Sequence, residues 1–151
     1  MQKFVIFTDG GSRGNPGSAA CGTFIFEQLD GNLVIKDFNS KYLNSVTNNV
    51  AEYEGFLLGA TTLHKILKTQ PNNGAEIEVI FNLDSELLVK QYAGIYKIKD
   101  AGLSKIKDKV DKQIADLTVS YSLRVQVNHV PRALNHLADK LVNLILDQHS
   151  E

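Results

Sequence analysis

Lys3-Phe4-Val5-Ile6-Phe7-Thr8-Asp9-Gly10-Gly11 is an apolar run of strand length that stops at Asp-Gly-Gly, a backbone-permissive turn. A charge at the end of so apolar a strand is costly unless it is paired or bound to metal. Downstream, residues 19–27 and 33–41 read as strands around the turn signal Leu29-Asp30-Gly31-Asn32, which makes the opening third an antiparallel meander. From Asn48 to about Lys68 the period becomes helical, with Phe56, Ala60, Leu63 and Leu67 on one stripe, and Pro71-Asn72-Asn73-Gly74 ends it. Residues 76–83 alternate as a strand with Ile77, Val79, Phe81 and Leu83 on one side. A short helix from Ser85, a helix over 102–117, a strand over 118–130 and a helix from Asn135 to about Gln148 complete the chain. This order predicts an α/β protein with a mixed five-stranded sheet and helices packed on it, and it argues against a dinucleotide-binding fold.

With 151 residues, 43% of them hydrophobic, the chain is expected to form one compact domain over 1–151. No segment approaches the ~20 apolar residues of a membrane span. The N-terminus lacks the layout of a signal peptide, so the expectation is a cytoplasmic protein with no membrane partner. A lone Cys21 cannot form an internal disulfide. Sixteen basic against seventeen acidic residues give a net charge of −1, so any nucleic-acid surface must be local. The densest basic stretch holds Lys97, Lys99, Lys105, Lys107, Lys109 and Lys112 against Asp100, Asp108 and Asp111. On a helix, Leu103, Ile106, Val110, Ile114 and Leu117 form its apolar stripe, and Lys105, Lys109 and Lys112 share another face. Taken alone, that face reads as solvated.

The acids are the informative feature. Asp9 and Asp84 each end an apolar strand. Glu52 precedes Phe56, Gly59 and Leu63 by four, seven and eleven residues, on the core-facing stripe of its helix, and Asp139 stands three and seven residues before Val142 and Leu146. One such acid is ordinarily a cap or a hydrogen-bonded core polar; four incline the reading towards a carboxylate metal site. Oxygen ligands suit Mg²⁺ or Mn²⁺, and His and Cys are too sparse for zinc. Two other readings stay open: a binding module without turnover, and an interaction domain whose acids are surface charges.

Four blocks resemble the type 1 ribonuclease H family: Thr8-Asp9-Gly10-Gly11-Ser12-Arg13-Gly14-Asn15-Pro16-Gly17, Thr47-Asn48-Asn49-Val50-Ala51-Glu52-Tyr53, Leu83-Asp84-Ser85-Glu86-Leu87, and His129-Val130-Pro131-Arg132 with Asn135-His136-Leu137-Ala138-Asp139-Lys140-Leu141. They occur in the family's order, and the last looks like the subgroup with Val-Pro-Arg before the final catalytic Asp. The resemblance implies the ribonuclease H-like fold, with the first three strands antiparallel and helices on both faces. It implies an endonuclease that hydrolyses the RNA strand of RNA–DNA hybrids, leaving a 5′-phosphate and a 3′-hydroxyl. Asp9, Glu52, Asp84 and Asp139 would be catalytic ligands of two Mg²⁺ ions, with Mn²⁺ able to substitute, which is chemically consistent with an in-line displacement.

Hybrid selectivity needs a detector of the 2′-hydroxyl. By resemblance, Gly10, Gly11 and Asn15 reach the minor groove, Glu52 touches the hydroxyl, Asn48 and Asn49 contact bases and backbone, and Ser85 positions substrate. Asn48 and Asn49 also precede the helix and are candidates to cap it. Glu86 stands where many members carry glutamine, so a donor is lost. His129 is the ungapped candidate for an auxiliary histidine, yet it ends an alternating strand, and Arg132 is the better candidate for touching phosphate. Residues 96–117 occupy the place of the family's basic protrusion with length for one substantial helix. Weak, salt-sensitive binding through Lys97, Lys99, Lys105, Lys107 and Lys109 is expected, with no separate hybrid-binding domain before Lys3 and a monomeric protein.

Overall fold

The apolar run that opens the chain becomes the central strand of a five-stranded sheet, ordered β3-β2-β1-β4-β5, in a computed structural model that describes residues 1–150. The elements are β1 (Gln2–Gly14), β2 (Gly17–Leu29), β3 (Asn32–Val46), α1 (Asn48–Lys68), β4 (Ile77–Leu83), α2 (Glu86–Tyr92), α3 (Ala101–Tyr121), β5 (Leu123–His129), a 3₁₀ turn (Arg132–Asn135) and α4 (His136–Gln148). Strands β1, β2 and β3 pair antiparallel, whereas β4 joins β1, and β5 joins β4, in parallel. The mixed sheet expected from the element order is therefore present, with β1 and β2 running further than the periodicity marks.

Two layers of helices cover the sheet. Phe4, Ile6 and Ile25 from the strands meet Phe56, Leu63 and Leu67 of α1, Leu88 of α2, and Val110, Ile114 and Leu117 of α3 in one large core. On the opposite face, α4 lays Val142 and Leu146 on Ala20. The alternation in β4 is carried through: Ile77, Val79, Phe81 and Leu83 are all buried. No helix is long and apolar enough to cross a membrane among the described residues.

The expected strand over 118–130 is corrected. Thr118 to Tyr121 continue α3, and the strand is confined to Leu123–His129. The β-branched Thr118 and Val119 read as strand, but the helical ladder holds them: Thr118 Oγ1 donates to the Ile114 carbonyl at 2.7 Å, and Asn72 Nδ2 donates to the Ser120 carbonyl at 2.9 Å. Ser122, in the left-handed region (φ 55°, ψ 52°), then closes the helix through its N–H to Thr118. The capping expectation changes too. Thr47 is the N-cap of α1 and accepts from the Val50 N–H at 3.3 Å, so Asn48 is already helical.

Candidate active site

The register of the parallel ladder explains why two carboxylates meet. Thr8 pairs with Leu83 in the last rung between β1 and β4. Asp84 follows β4 directly, whereas Asp9 does not end its strand as the apolar run predicts: β1 continues against β2 to Gly14, and the two acids sit side by side because the parallel ladder stops just before them. The carboxyl ends of parallel strands are where open α/β sheets build their sites. Beyond Leu83 on the other side lies His129, its partner on β5.

Glu52 comes from α1, which approaches β1 at backbone contact distance. A Cβ at Gly10 would lie 2.0 Å from the Ala51 carbonyl oxygen, and one at Gly55 would lie 2.5 Å from the Asp9 carbonyl oxygen. These glycines let the helix settle on the strand, which delivers Glu52 to Asp9. One carboxylate oxygen from each of Asp9, Glu52 and Asp84 lies within 4.8 Å of the others. Asp139, half-buried in the first turn of α4, stands outside that trio, yet its charge is felt at Asp9.

The electrostatics follow from this crowding. Burial, then the neighbouring charges of Asp84, Asp139 and Glu52, push the Asp9 carboxyl from 3.8 up to about 8, against the pull of the Gly10 N–H. Burial raises Glu52 from 4.5 to about 7 with help from Asp84, against the pull of Ser85 and Arg132. Asp84 Oδ2 is buried with no hydrogen-bond partner. Raised acids and an orphaned buried carboxylate oxygen among three converging acids fit a hard divalent cation.

A stability prediction follows with a definite sign. Between about pH 4 and about pH 8 the folded protein holds protons on Asp9 and Glu52 that the unfolded chain has released, so stability falls as pH rises through this window. Thermal melts of metal-free protein across that range should show a declining midpoint, with Mg²⁺ or Mn²⁺ restoring it at the upper end. A midpoint rising over the same range would contradict the placement of these acids.

Around the trio, Ser85 caps α2 by accepting from the Leu88 N–H at 3.2 Å and lines the cleft with Thr8, Leu83 and Leu88. Glu86 turns away to pair with Lys90 at 2.8 Å. The bonded Lys90 ammonium holds the Glu86 carboxyl below its usual range. His129 and Arg132 are both exposed. The glycine-rich β1–β2 turn is knitted to α1: Asn48 Oδ1 accepts from the Ser12 N–H at 2.9 Å, and Asn15 Oδ1 accepts from the Asn48 N–H at 3.0 Å. Asn49 is exposed beside them, and Gly11 has room for a Cβ at ordinary contact, 3.6 Å from Val142. Lys97 and Lys99 are exposed in the connection between α2 and α3, and Lys105, Lys109 and Lys112 are exposed on α3. Lys107 is half-buried, with its ammonium 2.6 Å from Asp111 and over the Tyr92 ring, so it is already engaged.

Asn135 carried no assigned role in the sequence reading. It is 1% exposed, and its Nδ2 donates to the Thr8 carbonyl at 2.8 Å. In the sequence it stands at the start of the last helix, four residues before Asp139.

A mixed five-stranded sheet with helices on both faces and acids gathered where its β1–β4 parallel ladder ends defines a ribonuclease H-like α/β protein. The pattern of the reverse transcriptase-like family matches residues 7–145, and the chain belongs to that family. It is 35% identical over 145 residues to a bifunctional protein of Mycobacterium tuberculosis, covering 96% of this chain and 36% of that protein. It is 30% identical over 141 residues to ribonuclease HI of Halobacterium salinarum, covering 93% of this chain and 63% of that protein. The chain thus spans less than two thirds of either relative. Among solved structures, the N-terminal RNase H domain of the mycobacterial protein superposes with a TM-score of 0.79 at 32% identity, covering 98% of this chain and 96% of that one. LC11-RNase H1, solved in complex with an RNA/DNA hybrid, gives a TM-score of 0.78 at 36% identity, covering 96% and 97%.

Proposed function

We propose that this chain is a ribonuclease H, an endonuclease that hydrolyses the RNA strand of RNA–DNA hybrids and leaves 5′-phosphate and 3′-hydroxyl ends. The observation that carries the proposal is the convergence of Asp9, Glu52 and Asp84 within 4.8 Å. Similarity to a hybrid-bound ribonuclease H1 across 96% of the chain supplies the substrate class.

In this reading Asp9, Glu52, Asp84 and Asp139 hold two divalent ions, Mg²⁺ with Mn²⁺ able to substitute. When bound, those ions activate a water and stabilise the leaving oxygen of an in-line displacement. The chain's own groups do the rest. Glu52, beside Ser85, is placed to meet a 2′-hydroxyl, which distinguishes the RNA strand. Arg132 is exposed near Glu52 and offers a guanidinium to phosphate, whereas His129 is the secondary auxiliary candidate. Gly10, Gly11, Asn15, Asn48, Asn49 and Ser85 form the substrate-contacting rim, and Lys97 and Lys99 grip the backbone. Because Lys107 is spent on Asp111, the grip rests on fewer lysines than the sequence counts and is salt-sensitive. We further propose that residues 1–151 act as one catalytic domain, monomeric and cytoplasmic.

A hybrid labelled on the RNA strand, incubated with Mg²⁺ or Mn²⁺, should yield fragments carrying 5′-phosphates, and chelation should stop the reaction. Parallel reactions on duplex RNA and on DNA with one embedded ribonucleotide map its strictness. Absence of ion-dependent RNA cleavage in the hybrid would sink the proposal.

A further inference from the structure

We propose that Asn135 is a positioning residue for the fourth carboxylate and its neighbouring arginine: its buried side-chain amide, bonded to the Thr8 carbonyl, sets where Asp139 and Arg132 stand relative to Asp9. This rests on the nuclease reading and goes beyond it, because Asn135 touches no reacting group.

Asn135 occupies the N-cap position of α4, where an asparagine ordinarily accepts from an amide of the first turn. Here the side chain makes no capping bond. It reaches instead across 127 positions of sequence to the strand residue immediately before Asp9, donating to the Thr8 carbonyl at 2.8 Å, and its own Oδ1 is left buried without a partner. A local cap and a satisfied oxygen are both forgone for one long-range bond. That bond falls at the last rung of the β1–β4 ladder, beside the step where Asp9 and Asp84 emerge. Asn135 ends the 3₁₀ turn that begins at Arg132, and Asp139 lies one helical turn further along α4. Asn135 thus anchors both from the point between them, while the Val130 N–H on the Leu83 carbonyl holds the entry to the turn and Val142 and Leu146 on Ala20 hold the body of α4. No other hydrogen bond of the 3₁₀ turn reaches β1 among the described residues: Leu134 N–H bonds Pro131, and His136 Nδ1 lies 3.3 Å from the Ala133 carbonyl.

The test compares Asn135→Ala with Leu146→Ala, a buried position at the far end of α4 that loosens the same helix away from the site. Divalent-ion binding is followed by calorimetry with Mn²⁺ alone, cleavage of a labelled hybrid gives kcat and KM, and melting gives stability. Loss of an outer-shell support typically costs about 10- to 100-fold in metal affinity or turnover. Asn135→Ala should lose that much in Mn²⁺ affinity and kcat, with KM within about twofold. Leu146→Ala, assayed below its own melting point, should keep both. Asn135→Leu, which keeps the side-chain volume and has no group to donate, should behave like the alanine variant. The proposal is overturned if Asn135→Ala binds Mn²⁺ and turns over like wild type, or if Leu146→Ala loses as much. A wild type that binds Mn²⁺ without cutting would sink the nuclease reading while calorimetry still judged Asn135; a wild type that binds no ion would overturn both.

Discussion

Asp84→Asn should lose hybrid cleavage on the order of 10³-fold while melting a few degrees higher than wild type in the absence of divalent ions. The opposite signs have one cause. Asp84 sits among carboxylates whose mutual repulsion and burial already drive Asp9 up to about 8, and one of its oxygens is buried without a partner. An amide at this position removes one negative charge and can donate to its neighbours. Relief worth about 1 kcal/mol raises the midpoint of a domain this size by roughly 2–4 °C. The same change removes an anionic oxygen ligand from the trio, which a hard cation cannot replace with an amide of equal strength. A variant that lost activity together with stability would point to a structural role for Asp84 instead.

Gly10→Ala should be the most damaging small substitution in the chain. The new Cβ would meet main-chain atoms only: the Ala51 carbonyl oxygen at 2.0 Å, its carbon at 2.2 Å and the Glu52 nitrogen at 2.5 Å. No side chain can swing aside, so α1 must retreat from β1. Overpacking of this kind costs about 3 kcal/mol, equivalent to a fall of roughly 6–12 °C in midpoint. The retreat also carries Glu52 away from Asp9, and a displacement near 1 Å costs about 10²-fold in rate. Gly11→Ala is the informative control. Its Cβ would find ordinary contact, so stability should change by no more than about 0.5 kcal/mol. A fall in cleavage there without a fall in stability would assign Gly11 to close approach by the hybrid. A stable Gly10→Ala would contradict the packing that brings Glu52 to the site.

The contrast between these glycines marks where sequence reading stops. The apolar run Phe4 to Phe7, the alternation of Ile77, Val79, Phe81 and Leu83, and the stripe of α1 are local patterns set by burial of one face, and they predict the sheet and its principal helix. The acids Asp9 and Asp84 stand out as charges after apolar runs, but only Asp84 follows the end of its strand; β1 continues past Asp9 against β2, and the adjacency of the two acids follows from a register that only strand pairing supplies. The resemblance places Gly10 at the minor groove and is silent on a second demand made of it. Its missing Cβ is occupied by α1, a contact between residues 41 positions apart that no local pattern encodes. Residues 118–121 were read as strand because Thr118 and Val119 carry strand propensity, whereas side chains from Thr118 and Asn72 hold that turn in the helix. Asn135 looked like the start of a helix. Its bond to Thr8 depends on the 3₁₀ turn folding back over β1, which leaves no trace in spacing.

The central claim is that the gathered carboxylates are a hybrid-cleaving centre. Its most direct test is the single-turnover rate of RNA-strand cleavage in a labelled hybrid for wild type, Asp9→Asn, Glu52→Gln, Asp84→Asn and Asp139→Asn, each first verified as folded. Ion-dependent cleavage by the wild type and its collapse in all four variants is the predicted result. A wild-type rate in any of the four would contradict the account.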